Sequence, residues 1–219
     1  EPFAVFHKKV PRFMSEFGFQ SFPEWRTIES FTEPDDRELE SKVMLLHQKH
    51  PRGNALIAEY TKRDFNKPKK FEDFVYVSQL VQAEGMRIGL EAHRRNKPYC
   101  MGTLYWQLND VWPVASWSGI DSYGRWKAMQ YYVRDVFAPV AALPIVEDNI
   151  LKIYGVNDLA NEVKVTVHVH ARSFDGTTLS DVTRADVAIP TDSSRMIWQG
   201  DLRTVLNNTK PEGAVVEIL

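Results

Sequence analysis

The spacing of apolar residues divides the chain into a helical part and a strand-rich part. In the first part, apolar residues recur at helical spacing over 71–96 and again over 124–137, and a shorter helix is predicted over 39–50. Residues 12–21 are typical of a buried strand that runs into a loop, and 99–106 form a near-continuous apolar run. A strand, a long helix and a second strand predict a βαβ unit with parallel strands.

The second part of the chain follows a different pattern. Apolar and polar residues alternate with period two in three segments, at 151–156, 162–170 and 185–189. Turn residues such as Asp175 and Gly176 separate these segments, which is typical of a β-sandwich. Because the chain ends inside the apolar run 214–219, we expect the sandwich to be incomplete.

Composition excludes several classes of function. With 219 residues, 43% hydrophobic residues and a net charge of −2, the chain can bury a large core and has no electrostatic reason to bind nucleic acid or an anionic membrane. The basic run 67–70 lies in a predicted polar connection, 61–70, and we interpret it as a solvated loop. No apolar run is long enough to span a membrane.

Metal and thiol chemistry have weak support in the sequence. Cys100 is the single cysteine and is expected to be a small buried residue at the entry to a strand. His168 and His170 would share one face of a strand, but the strand supplies no third ligand at metal-binding spacing. We therefore predict neither a metal site nor a cofactor.

Glu16 is the main candidate for chemistry. A carboxylate at the end of an apolar strand is costly to bury, so it needs a function or a partner. Trp106 ends the second predicted strand, and the carboxyl ends of parallel strands are where α/β barrels carry their active sites. A carboxylate facing an aromatic platform suits sugar chemistry. The alternative is a structural acid that pairs with Arg12 or caps a turn.

Three motifs carry a resemblance to a known family. Residues 13–23 read Phe-Met-Ser-Glu-Phe-Gly-Phe-Gln-Ser-Phe-Pro, residues 102–113 read Gly-Thr-Leu-Tyr-Trp-Gln-Leu-Asn-Asp-Val-Trp-Pro, and residues 116–121 read Ser-Trp-Ser-Gly-Ile-Asp. In this order, with a long helix between the first two, they resemble the β-mannosidases of glycoside hydrolase family 2. The resemblance covers roughly the first two thirds of the chain.

The resemblance implies both a fold and an activity. Residues 1–138 would form the C-terminal part of a (β/α)8 TIM barrel, with strands seven and eight and their helices, and 139–219 an immunoglobulin-like β-sandwich. The activity would be that of a retaining exo-β-mannosidase, which removes terminal non-reducing β-D-mannose through a covalent glycosyl-enzyme intermediate. Glu16 would be the nucleophile. The acid/base Glu of the family would lie upstream, so this chain would supply only the nucleophile half of the site.

The resemblance also implies a sugar-binding set. Trp106 would form the platform under the sugar, and in related barrels the peptide bond after this residue is often cis. Asn109, Asp110 and Trp112, in the following loop, could hydrogen-bond or wall the sugar, or hold the loop itself. The expected partners are a β-mannoside oligosaccharide or glycoconjugate and the N-terminal part of the same protein.

Two other functions remain open from the sequence. One is another family 2 activity, that of a β-galactosidase or β-glucuronidase. The other is a non-catalytic carbohydrate-binding module with Trp106, Trp112 and Trp117 as its exposed face. The chain begins without an initiator Met and reads like mid-domain sequence, so a targeting segment could precede it. A periplasmic, extracellular or lysosomal location is favoured over a cytoplasmic one.

Overall fold

The computed structural model describes residues 2–66 and 68–219 and divides the chain into two compact units. The first contains the residues up to His93 together with Gly102–Val136, and the second contains Arg94–Met101 together with Phe137–Leu219. The predicted division into domains 1–138 and 139–219 stays a prediction. Of the basic run 67–70, Lys67 lies outside the described residues.

Five α-helices begin in the first unit. They are α1 (Trp25–Glu29), α2 (Lys42–Leu46), α3 (Gly53–Asp64), α4 (Phe71–Arg95) and α5 (Ala128–Val136), with short 3-10 helices at Phe3–His7 and Pro34–Asp36. The predicted long helix is confirmed in α4. The helix predicted over 124–137 is confirmed in α5, but it begins four residues later.

Two predictions for the segment between residues 39 and 70 are wrong. The helix predicted over 39–50 is only the five residues of α2, because the chain leaves the helix at His47, whose carbonyl oxygen accepts a hydrogen bond from the Ala115 amide, and the Lys49 amide donates to the Ala115 carbonyl oxygen. The polar connection predicted over 61–70 begins inside α3, which the sequence analysis did not identify. Polar residues dominate α3, but Ile57 and Thr61 face the core and are buried.

The two strands predicted in the first part of the chain are reduced to an isolated bridge and the hydrogen bonds beside it. Met14 and Thr103 form a parallel bridge, so the parallel alignment is as predicted. The expectation that the second strand is buried on both faces is wrong, since Leu104 is 56% exposed. Segment 102–106 pairs with segment 14–17, and such a two-stranded pair leaves sheet faces uncovered.

Helix α4 organises the core of the first unit through two apolar clusters. One cluster consists of Phe22, Ile28, Met44, Ile57, Val75 and Ala115. The other consists of Ala83, Met86, Leu90, Met129, Val133 and Val136, and the partly buried Phe17 and Tyr105 pack against it. Phe17 directly follows Glu16, and Tyr105 directly precedes Trp106. Packing on α4 and α5 therefore fixes the backbone of both candidate residues.

The second unit is a β-sandwich, as predicted. Its strands are β1 (Val140–Glu147), β2 (Ile150–Asn157), β3 (Val163–Ser173), β4 (Thr178–Ile189), β5 (Ser193–Asp201) and β6 (Ala214–Ile218), with a short helix α6 (Leu202–Val205) after β5. Two antiparallel sheets form, with strand orders β1-β2-β5 and β4-β3-β6. The sequence analysis did not identify β1 and β5 as strands. Pro144 interrupts the pattern of β1, which is an edge strand, where proline is tolerated.

One apolar core joins the two sheets of the sandwich. Ile153 and Ile197 from one sheet and Val169 and Ile189 from the other belong to the same buried cluster. Gly155 in β2 lies so close to the opposite sheet that a Cβ atom would come 2.5 Å from Cδ1 of Ile189. The inward positions of the period-two pattern therefore form the interior of the sandwich.

Candidate active site

The ends of the two parallel strand segments lie side by side. The Met14 amide donates to the Gly102 carbonyl oxygen at 2.9 Å, and the Leu104 amide donates to the Met14 carbonyl oxygen at 2.9 Å. Further along, the Trp106 amide donates to the Phe17 carbonyl oxygen at 2.8 Å. Because the two segments run in the same direction, Glu16 and Trp106 emerge at the same end of the pair.

Glu16 is an exposed carboxylate without a polar partner. Within residues 2–66 and 68–219 it makes neither a hydrogen bond nor an ion pair. The alternative from the sequence, an ion pair of Glu16 with Arg12, is therefore not formed. An unpaired carboxylate at the end of a strand is available to a ligand.

Gly18 brings the loop after Glu16 against Trp106. A Cβ atom at Gly18 would overlap the Trp106 carbonyl oxygen and would lie 3.2 Å from Cδ1 of Trp117. The peptide bond between Trp106 and Gln107 is cis, as expected from the resemblance. The Trp106 side chain is 49% exposed, so one part of the indole packs on protein and the rest is open to a ligand.

Trp112 packs against an aromatic stack that was not predicted from the sequence. The rings of Phe31 and His47 are stacked with centroids 3.8 Å apart, and the His47 ring lies 5.3 Å from that of Trp112. Nδ1 of His47 donates to the Pro113 carbonyl oxygen at 2.6 Å. From the sequence, His47 was predicted only to lie within the helix over 39–50. The stack supports Trp112, which stays 39% exposed.

The structure separates the roles of Asn109 and Asp110. Asn109 is exposed, and its Nδ2 donates only a long hydrogen bond, 3.3 Å, to the Asp110 carbonyl oxygen. Asp110 is buried and accepts hydrogen bonds from Ser116 at 2.6 Å and Ser118 at 2.5 Å, together with an ion pair from Lys49 at 2.7 Å. Asp110 holds its own loop, which is one of the two roles that the sequence left open for it.

Lys127, immediately before α5, is fully buried beneath the two loops. Its Nζ donates to the carbonyl oxygens of Ser21 at 3.4 Å and Ser116 at 3.3 Å. Burial lowers the pKa of Lys127 to about 7, and the nearby charges of Asp110 and Asp121 oppose that shift. No pattern in the sequence singled out this residue, because a lysine at a helix start is ordinarily exposed.

The described residues contain neither a cluster of three or more His, Cys, Asp or Glu residues suited to a metal ion nor a helix long and apolar enough to cross a membrane. His170 instead lies 3.2 Å from Asp181, and His168 lies 3.1 Å from Thr183. Cys100 is buried, as predicted.

Comparison with known protein sequences gives consistent matches. The model of the Mannosidase Ig/CBM-like domain matches residues 149–218, which lie in the sandwich. A β-mannosidase of Capra hircus is 35% identical over 177 residues, or 74% of this chain and 20% of the relative. A β-mannosidase B of Aspergillus niger is 38% identical over 145 residues. The chain thus spans about one fifth of the length of the curated relatives that it matches.

Solved structures show the same relationship over a larger part of the chain. The crystal structure of a β-D-mannosidase from Dictyoglomus thermophilum matches 99% of this chain and 28% of its own, with a TM-score of 0.88 and 28% identity. An exo-chitosanase of Amycolatopsis orientalis matches 90% of this chain and 25% of its own, with a TM-score of 0.76 and 20% identity, which shows likeness of fold alone.

Proposed function

Because the chain belongs to the β-mannosidases of glycoside hydrolase family 2 and matches a C-terminal portion of them, we propose that it supplies the nucleophile half of a retaining exo-β-mannosidase site. The substrate is a β-mannoside oligosaccharide or glycoconjugate with a terminal non-reducing β-D-mannose. The acid/base residue comes from the N-terminal part of the same protein. Residues 1–138 are strands seven and eight of a (β/α)8 barrel with their helices, and 139–219 are the sandwich domain.

One observation carries this proposal. Hydrogen bonds from backbone to backbone align the segment that holds Glu16 with the segment that holds Trp106, and both side chains are exposed at the same end of the pair. An ionised carboxylate beside a flat apolar ring matches a pyranose, whose anomeric carbon needs a nucleophile and whose apolar face suits an indole. Asn109 and Trp112 complete the candidate sugar-binding surface.

The proposed reaction has two steps. The Glu16 carboxylate attacks the anomeric carbon and forms an ester bond to it, while the bond to the leaving oxygen breaks and the upstream acid gives that oxygen a proton. Water then attacks the same carbon, the ester bond breaks, and the acid/base residue takes the proton of the water. In such enzymes the two carboxyl groups are about 5–5.5 Å apart. The exposed position of Glu16 leaves space for the second carboxyl group.

The proposal is tested by trapping the intermediate. The full-length protein is treated with 2-deoxy-2-fluoro-β-mannosyl fluoride, digested, and analysed by mass spectrometry. We expect the 2-fluoromannosyl group on the peptide that contains Glu16, because the fluorine slows hydrolysis of the glycosyl-enzyme. Glu16→Gln should remain unlabelled, while Glu72→Gln, which changes an exposed carboxylate in the first turn of α4, should be labelled like the wild type.

Other results would overturn specific parts of the proposal. A label on a different carboxylate would reject Glu16 as the nucleophile. Labelling only by the galactosyl or glucuronyl reagent would change the substrate within the same family. Silence with all three reagents, together with binding of mannosides by the full-length protein, would favour a non-catalytic sugar-binding module.

A further inference from the structure

Buried polar side chains join the loop that follows Glu16 to the loop that follows Trp106. Ser21 in the first loop and Ser116 in the second exchange backbone hydrogen bonds of 2.9 and 3.1 Å. Nζ of Lys127 also donates hydrogen bonds to both of these carbonyl oxygens. The ammonium group therefore lies where the two loops meet.

Gln82 joins the same loops from a different helix, α4. Its Nε2 donates to the Phe19 carbonyl oxygen at 2.8 Å and to the Ser118 carbonyl oxygen at 3.2 Å. Its Oε1 accepts a hydrogen bond from Oγ of Ser21 at 2.7 Å. Gln82 is fully buried, so each polar atom of its side chain serves this connection.

Burial of an ammonium group in a core costs free energy, because the charge loses its hydration. Lysine is almost never fully buried without charged partners, and an apolar side chain of similar length would pack at lower cost. The charges that act on Lys127 are those of Asp110, Asp121 and Glu24, which favour its ionised form, and that of Lys49, which opposes it.

We propose that Lys127 and Gln82 are positioning residues, which hold the loop after Glu16 in register with the loop after Trp106 and so set the nucleophile against the sugar platform. This inference rests on the proposed β-mannosidase function. Neither side chain is exposed, so neither touches substrate. A small displacement between nucleophile and platform is enough to slow the reaction strongly.

The test uses Lys127→Met and Gln82→Met in the full-length enzyme. The concentration of competent sites is measured by titration with the fluoromannosyl reagent, and kcat and KM are measured on an aryl β-mannoside. We expect kcat per titrated site to fall about tenfold or more in each variant, with KM changed less than about threefold. Lys152→Met and Gln199→Met, in the sandwich, are the matched controls and should keep the wild-type kcat.

A pH profile separates positioning from a purely structural role. Since burial lowers the pKa of Lys127 to about 7, its ammonium group is lost above that pH, and the attraction to Asp110 and Asp121 is lost with it. We expect wild-type kcat to decline as pH rises through this range. The profile of Lys127→Met should lack this component.

Several outcomes would overturn the inference. An unchanged kcat per titrated site, with only a lower melting temperature, would make both residues purely structural. If Lys127→Met does not fold, Gln82→Met decides by the same criterion, because methionine nearly conserves the volume of glutamine inside a helix. An inactive wild-type enzyme would reject the proposed function itself, and the inference with it, before any variant is examined.

Discussion

The sandwich unit and the strand pair of the first unit close their apolar surfaces to different degrees. In the sandwich, Ile153 and Val169 are fully buried in a core to which both sheets contribute. Around the strand pair formed by segments 14–17 and 102–106, Leu104 and the flanking residues Phe13 and Leu108 are each more than half exposed. Both regions have strand sequences rich in apolar residues, but among the described residues only the sandwich covers its strands with a second sheet.

The two regions differ in how their strands are covered. Alternating strands in antiparallel sheets can build a complete core from about eighty residues, because each sheet covers the other. Strands that are apolar on both faces need cover on both faces. The strand pair has such cover only on the side of α4 and α5, where Phe17 and Tyr105 pack. Its open side carries Glu16 and Trp106, the residues of the proposed site.

The largest effect that distinguishes the two regions should come from Glu16→Gln. We expect kcat/KM of the full-length enzyme on an aryl β-mannoside to fall about 10⁴-fold or more, equivalent to about 5 kcal/mol of transition-state stabilisation. The melting temperature should stay within about 2 °C of the wild type, because Glu16 is exposed and makes no polar contact with the described residues. Steady-state kinetics and calorimetry measure the two quantities. A residual activity above one tenth of the wild type would contradict the role of Glu16.

A pair of glycine variants compares the two regions directly. In Gly18→Ala the new methyl group meets the Trp106 carbonyl oxygen, which is rigid backbone. In Gly155→Ala it meets Cδ1 of Ile189 and Cγ2 of Ile197 in the core of the sandwich, which holds no residue of the candidate site. We expect Gly18→Ala to lower kcat about tenfold to a hundredfold and to destabilise the protein by about 1–3 kcal/mol. Gly155→Ala should leave kcat unchanged and cost about 1–3 kcal/mol of stability.

Kinetics and thermal unfolding of both variants distinguish the outcomes. Equal losses of kcat in the two variants would mean that general destabilisation, and not displacement of Trp106, accounts for the effect. A wild-type kcat in Gly18→Ala would show that the loop accommodates the methyl group without moving the indole.

The smallest effect concerns an ion cluster in the second unit. Asp158 accepts hydrogen bonds from Arg94 at 2.7 Å and from Lys97 at 2.6 Å. Partial burial raises the pKa of Asp158, but the hydrogen bonds and charges of Lys97 and Arg94 outweigh it, so its pKa is lowered. A carboxylate whose folded pKa lies below its unfolded value stabilises the protein above the unfolded value, about 4, and loses that contribution as pH falls through the folded pKa.

Asp158→Asn tests this cluster. The variant should melt about 2 °C below the wild type at pH 6, and the difference should shrink as pH falls below about 4. Asp186→Asn, which changes an exposed aspartate of β4, is a control outside the cluster. A difference that persists unchanged at pH 3 would show that the hydrogen bonds, and not the charge, produce the effect.

Local patterns in the sequence predicted the elements whose packing they determine. The helical spacing of Val77, Val81 and Leu90 was sufficient for α4, and period-two alternation was sufficient for β2 and β3. The parallel direction of the two segments that Met14 and Thr103 join followed from the order of strand, helix and strand.

The features that the sequence did not predict depend on contacts between distant residues. Lys127 became notable only when its position beneath Ser21 and Ser116 was known. His47 leaves its helix to pair with Ala115, sixty-eight positions further along the chain. Helix propensity and hydrophobic period describe only nearby residues, so neither could show these contacts.

Pro144 gives the sandwich protection against unwanted self-assembly. It lies in the middle of β1, the outermost strand of its sheet, where free backbone groups would be a template for another chain. Proline has no amide hydrogen to offer, and its carbonyl oxygen already accepts a hydrogen bond from Arg95 at 3.0 Å. An incoming strand therefore meets a gap in the ladder at this point, which discourages fibril growth from that edge.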